Sequence, residues 1–116
     1  MPGSIAEKDW RIFRDLHPIW LDRFCESVND ELVALLSDKN QSPYDRYIAV
    51  YKLIQKRDKE LGKAFDDFRR STALFQIAII RKLGVITDAE LGRFSAEVQS
   101  SLAYFWGEGR ESTAPE

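Results

Sequence analysis

The chain has 116 residues, of which 44% are hydrophobic and 31% are charged, and its net charge is −2. This length fits one domain with its own core, and the apolar content is too high for a disordered chain. One cysteine cannot form an intrachain disulfide, and no basic segment followed by an apolar run directs secretion. The apolar stretch 73–80 is far shorter than the roughly 20 residues of a membrane span. We therefore expect a cytoplasmic protein without a membrane segment.

The first third of the chain has a helical pattern. Apolar residues recur at steps of three and four between positions 21 and 35, with acidic and polar residues between them. Pro18 suits the first turn of a helix, where its missing N–H would have no partner in any case. The pattern predicts an amphipathic helix over 18–37, preceded by a shorter helix over 7–16.

The second helix has the clearest start in the sequence. Ser42 is a capping residue, Pro43 takes the first helical position, and Asp45 places an acid in the first turn. Tyr44, Tyr47 and Tyr51 then follow at steps of three and four, opposite the lysines of the same segment. We interpret the tyrosines as its buried face and expect the helix to end between Gly62 and Asp66-Asp67.

Three further helical segments follow. Residues 70–83 have almost no polar face, which predicts a central apolar helix that ends at Gly84. Thr87 and Glu90 match a capping box at the start of a short helix, and Ser95 begins a last helix that reaches Trp106. The prediction is an all-α, compact helical bundle of four main helices plus one or two short ones. It forms a single domain over 1–106, with a mobile tail over 107–116.

The residues needed for common catalytic and metal sites are missing from the sequence. A zinc site needs three or four convergent ligands, whereas the chain has only His17 and Cys25 in addition to its carboxylates. No Gly-x-Ser-x-Gly motif and no phosphate-binding glycine loop is present. We therefore assign no catalytic, cofactor-binding or metal-binding residue and favour a role other than catalysis. A small-molecule pocket or an enzyme without a motif stays open as an alternative.

Charge is distributed unevenly along the chain. Residues 1–41 carry a net charge of −3, residues 42–83 carry +5, and residues 84–116 carry −4. The basic segment 46–70 suggests nucleic-acid or anionic-ligand binding as an alternative function. Its candidate anion-binding residues are Lys56, Arg57, Arg69 and Arg70. Nucleic acid is not favoured, because bases stack on exposed rings whereas the tyrosines are predicted to be buried, and because the pI is near 5.5. Arg69 and Arg70 are expected to pair with the preceding aspartates.

Aromatic residues make up 12% of the chain, which is generous for a small helical protein. Tryptophan and tyrosine anchor many protein interfaces, and tryptophans near helix ends are difficult to bury completely. The interaction candidates are Trp10, Trp20, Tyr104 and Trp106. The favoured function is a protein-interaction module that self-associates, as a homodimer, or binds another protein.

Overall fold

A computed structural model describes the backbone of residues 4–113 and the side chains of residues 4–104. This part of the chain is all-helical and contains no strand, as the sequence predicts. It has five α-helices, and a 3-10 helix at Arg70–Thr72 directly precedes the third. The α-helices are α1 (Glu7–Ser37), α2 (Pro43–Phe65), α3 (Ala73–Lys82), α4 (Asp88–Leu91) and α5 (Ala96–Thr113). No helix within 4–113 is long and apolar enough to cross a bilayer.

The first helix is continuous, so the predicted break before Pro18 is wrong. Pro18 lies inside a single 31-residue helix, where it removes one backbone hydrogen bond. The face that includes Phe13, Leu16 and Trp20 continues through this position and is buried on both sides of it. Burial of this face outweighs the local preference of proline to begin a helix.

Helix α2 begins where the sequence predicts. The Ser42 hydroxyl accepts a hydrogen bond from the Asp45 N–H at 3.0 Å, and Pro43 occupies the first helical position. Arg46 donates to the carbonyls of Leu36 and Gln41, at 2.8 and 3.2 Å, and so caps the end of α1. The turn between the two helices is thereby fixed, and α2 runs back along α1 as an antiparallel partner.

The end of α2 leads into the central helix through a tight turn. Asp67 has a φ of 58°, a left-handed conformation that aspartate tolerates better than most residues. The Gln76 side chain donates to the Asp66 carbonyl and holds this turn against α3. Helix α3 has the predicted position, and Gly84, with a φ of 80°, follows its end. Its burial is incomplete, however, because the Phe75 ring is 61% exposed.

The core lies at one end of the molecule. It is formed by the first half of α1, the last turn of α2, helix α3 and the first turns of α5. The second half of α1 and most of α2 extend beyond it; residues 21–37 and 43–65 are called the hairpin below. The molecule measures 52 × 34 × 23 Å, and its radius of gyration is 17.0 Å, against about 13 Å for a compact chain of this length. The molecule is therefore elongated, unlike the compact bundle that the sequence suggests.

The capping box at Thr87 also connects two distant parts of the chain. Glu90 accepts hydrogen bonds from the Thr87 N–H, from the Trp20 indole and, through both oxygens, from the Arg23 guanidinium at 2.7 Å. Arg23 also donates to the Val85 carbonyl. The Arg23 hydrogen bonds, helped by those from Thr87 and Trp20, lower the pKa of Glu90 from 4.5 to about 2 against the effect of burial. One carboxylate thus fixes α4 to the middle of α1.

A second carboxylate fixes the last helix. Asp9 is almost completely buried and accepts hydrogen bonds from the Ser95 N–H and hydroxyl, both at 2.8 Å. The Ser95 hydroxyl in turn accepts from the Val98 N–H and caps α5, as the sequence predicts. Helix α5 continues past Trp106 to Thr113, so position 106 is not a helix end. The predicted mobility of 107–116 remains a prediction.

We predict that Glu90 makes stability depend on acid pH. Because its pKa is depressed on folding, its contribution is complete above about pH 4.5 and is lost as the pH falls toward 2. The expected loss in free energy of unfolding is about 1–3 kcal/mol over that range. Urea denaturation of the wild type and of Glu90→Gln at pH 7 and pH 3 measures it. The variant should lack this part of the pH dependence, and Asp88→Asn, in the same helix, is the control. An equal pH dependence in Glu90→Gln would contradict the assignment.

Asp9 provides a separate test of the α5 connection. Asp9→Ala leaves the N–H and hydroxyl of the half-buried Ser95 without their acceptor and should lower the free energy of unfolding by about 2 kcal/mol. The measurement is the midpoint of urea denaturation at an unchanged m-value. Asp15→Ala, at an exposed position of the same helix, should stay within about 0.5 kcal/mol of the wild type. Equal effects of the two substitutions would exclude the proposed role of Asp9.

Candidate interaction surface

An open groove runs along one side of the hairpin, between α1 and α2. Its volume is about 250 Å³, and apolar side chains from both helices form most of its surface. The lining residues are Phe24, Cys25, Val28, Asn29, Leu32, Ile54, Arg57, Asp58 and Leu61. The side of the hairpin on which the groove opens is called the groove flank below.

Helical periodicity places further apolar residues on the groove flank. On α2, Tyr47 and Tyr51 precede Ile54 at steps of four and three, so the three side chains project from the same side of the helix. Tyr47 is 65% exposed, Tyr51 is 55% exposed and Ile54 is 46% exposed. On α1, Leu36 follows Leu32 by four residues and is also exposed. The groove is therefore continuous with an exposed aromatic and aliphatic surface toward the tip of the hairpin.

The prediction that the tyrosines form the buried face of α2 is wrong. Tyr44, Tyr47 and Tyr51 are all exposed, whereas the face toward α1 contains the half-buried Val50, Leu53 and Arg57. Aromatic residues at helical spacing occur both on buried and on exposed helix faces, so the spacing alone does not predict which face is buried. Burial depends on where the partner helix lies, and among the described residues α1 is the main neighbour of α2 over most of its length.

An ion-pair cluster joins the two helices at the groove. Arg57 donates to Glu31 of α1 at 2.9 Å and to Glu60 of α2 at 2.9 Å. These carboxylates raise the pKa of Arg57, hydrogen bonding to Glu31 being the larger cause. The guanidinium was a candidate anion-binding group, but internal carboxylates already neutralise it. Its role in this structure is to hold the hairpin together.

The two other candidate arginines also have internal partners. Arg69 forms a bidentate pair with Asp67, as the sequence analysis expects for local Asp–Arg pairing. Arg70 instead reaches the N-terminal segment, where it donates to the Ile5 carbonyl at 2.8 Å and to Glu7 at 3.0 Å. Lys56 is exposed, and no hydrogen bond or ion pair engages it within the described residues. The structure therefore does not bring the four candidates together into one anion site.

Exposed lysines occupy a different side of α2 from the tyrosines. Lys52, Lys56, Lys59 and Lys63 follow steps of four, three and four, and all are exposed. At about 100° per residue, this stripe points about 130° away from the stripe of Tyr47 and Tyr51. A nucleic-acid strand with its backbone on these lysines could not stack its bases on the tyrosines of the same helix.

The structure does not bring the described interaction candidates together on one exposed surface. Trp20 is fully buried in the core, so it is not available to a partner. Trp10 is half-buried and packs on Phe13 and Phe68, with ring centroids 5.9 and 5.2 Å away. Tyr104 is exposed on α5, far along the chain from the groove-lining residues. The side chain of Trp106 lies outside the described residues. The groove leaves no signal in the sequence, although the length of α2 indicates that part of this helix extends beyond a small core.

The groove is poorly suited to catalysis or to a small ligand. Its volume is below the roughly 300 Å³ of typical ligand pockets, and its charged groups are the neutralised Arg57 and the exposed Asp58. A smaller cavity of about 100 Å³ lies beside Asp9, whose two oxygens are engaged by Ser95. Within the described part of the chain, no three His, Cys, Asp or Glu side chains form a group able to hold a metal ion.

Comparisons with known proteins do not identify a relative. No protein family model, no curated protein and no solved structure matches the chain. Any functional inference therefore depends on the geometry of the chain itself.

Proposed function

We propose that this chain is a self-associating protein-interaction module and that the groove flank is its binding surface, with a second copy of the chain as the partner. The observation that carries this proposal is the exposure of Tyr47, Tyr51 and Ile54 beside an open apolar groove. Helices in stable domains bury their apolar faces against another layer, and none of the described residues forms such a layer over this flank. A second hairpin placed on it would complete two layers.

The size of the groove flank supports a second copy as the partner. Helix α2 has 23 residues and is therefore about 34 Å long, and two helices side by side span about 20 Å. Contact over roughly 30 × 20 Å covers about 600 Å² on each copy. The total of about 1,200 Å² is at the lower limit of specific protein interfaces, so we expect a reversible homodimer. Two paired hairpins would together form a four-helix bundle.

Nucleic-acid binding is a less favoured proposal for this chain. Its support is the exposed lysine stripe of α2, and the separation of lysines from tyrosines argues against it. Arg57→Ala would also be an ambiguous probe, because it leaves Glu31 and Glu60 without their cation. The double substitution Lys52→Ala with Lys59→Ala is a less ambiguous probe of nucleic-acid binding. Salt-dependent binding of a single-stranded oligonucleotide that is lost in this variant would favour nucleic acid over self-association.

Sedimentation analysis tests the proposed function. The wild type should change from monomer to dimer as its concentration rises through the micromolar range, because the contact area is modest. Tyr51→Glu with Ile54→Glu introduces two charges into the proposed interface and should weaken the dimer at least about a hundredfold. Lys52→Glu with Lys56→Glu, on the other flank, controls for adding two acidic residues to α2 and should weaken it much less. A wild type that remains monomeric up to about 1 mM would disprove the proposal.

Cys25 offers an independent measurement of the same contact. Its side chain is half-buried and lines the groove, so a second copy on the groove flank should cover it. We expect the rate of thiol alkylation to fall at least about fivefold between dilute and concentrated wild-type protein, as the dimer population rises. The rate in Tyr51→Glu with Ile54→Glu should not depend on concentration. An equal concentration dependence in both proteins would mean that the groove is not covered by a second copy.

A further inference from the structure

The only histidine of the chain lies where α1 meets the end of α2 and the turn that follows it. Phenylalanine rings contact the His17 imidazole on three sides. The Phe68 ring stacks on it with a centroid distance of 3.9 Å, and the rings of Phe13 and Phe65 meet it edge to face at 5.5 and 5.3 Å. The imidazole therefore joins α1 to the last turn of α2 and to the turn over residues 66–69.

One nitrogen of this imidazole has no hydrogen-bond partner among the described residues. Nε2 of His17 is buried and unpaired, so the other ring nitrogen makes the hydrogen bond to the Phe65 carbonyl. In the neutral ring Nε2 is only an unused acceptor. In the imidazolium it becomes a buried N–H without an acceptor, on a ring whose charge is partly removed from water, and both cost free energy. Burial accordingly lowers the pKa of His17 below its usual 6.5, and the hydrogen bond to Phe65 raises it by less.

No described side chain supplies a counter-charge for an imidazolium at this position. None of the ion pairs within the described residues includes His17. The charged side chains on the adjoining turns are Arg14 of α1, Lys63 of α2, Asp66, Asp67 and Arg69 of the following turn, and Arg70 of the 3-10 helix. Asp67 is paired with Arg69, and the Asp66 carboxylate lies against Gly62. The first turn of α3 is uncharged.

Phe68 is the contacting ring that can leave the imidazole most easily. Phe13 and Phe65 are buried core residues, whereas Phe68 is 39% exposed and lies in a turn between two helices. The preceding residue, Asp67, has a left-handed backbone conformation that costs free energy while the turn is closed. Displacement of Phe68 would admit water to Nε2 without unfolding the core, as a local opening of low free energy.

We propose that His17 is a pH-operated latch on the connection between α2 and α3. In its neutral form it holds Phe68 and the turn over 66–69 against α1, and in its protonated form it releases them. Phe68 also packs on Trp10, so release uncovers the Trp10 ring. The latch lies outside the groove flank and does not depend on self-association.

The latch acts in a different pH range from Glu90. Because folding lowers the pKa of a base, the folded state binds the proton less well than the unfolded state. The contribution of His17 to stability is therefore complete above about pH 6.5 and decreases as the pH falls below this value. Glu90 loses its contribution only below about pH 4.5. Measurements between pH 7 and pH 5 consequently separate the two groups.

The titration of the imidazole tests the closed form of the latch. In untagged protein, proton NMR shows the ring signal of a single histidine, and its midpoint should lie below 6.5. Phe68→Ala admits water to Nε2 and should move the midpoint up toward 6.5. Phe75→Ala removes an exposed ring from α3 and should leave it unchanged. A wild-type midpoint at or above 6.5, which attraction of the imidazolium to the ring faces would produce, overturns the proposal, as does an unchanged midpoint in Phe68→Ala.

Amide hydrogen exchange tests the release of the turn. The Arg69 and Thr72 amides are hydrogen-bonded within this connection. Between pH 7 and pH 5, after correction for the intrinsic effect of pH, their protection should fall at least about threefold, while amides 50–56 of α2 keep theirs. In His17→Phe and His17→Gln, which have no titrating ring, protection of the turn should be equal at both pH values. No loss in the wild type, or the same loss in both variants, would mean that His17 does not operate the turn.

Discussion

Burial of one face of the 31-residue helix α1 is the constraint on which the remaining elements depend. Its first half provides Phe13, Leu16 and Trp20 to the core, and its second half is paired with α2. Because α1 does not break at Pro18, these two halves form one continuous helix. The hairpin consequently extends from the core as a single layer of two helices, and no described residue outside it covers its apolar flank.

Polar contacts decide how the shorter elements attach to this helix. Asp9 and Glu90 are far apart in sequence from the groups that they join across the fold, and each satisfies backbone donors at a helix start. A hydrophobic core alone would allow α4 and α5 several orientations. Carboxylates with several fixed donors define one orientation, because any other leaves a buried polar group without its partner.

The basic segment of the sequence does not form a single basic surface in the folded chain. The basic segment 46–70 divides into arginines that are neutralised internally and lysines that remain exposed on α2. Arg57, Arg69 and Arg70 stabilise the fold and are poorly available to an external anion. The exposed lysines keep their charge at the surface of α2, and they lie outside the apolar groove flank.

Local chemistry in the sequence determined the all-helical class, the start of α2 at Ser42, the capping box at Thr87 and the end of α3 before Gly84. Each depends on residues within one or two turns of a helix, where caps and backbone conformation act. The sequence could not determine that α1 continues through Pro18 or that Tyr47 and Tyr51 are exposed. Both depend on which helix lies beside which, because an apolar stripe has the same spacing whether a partner covers it or not.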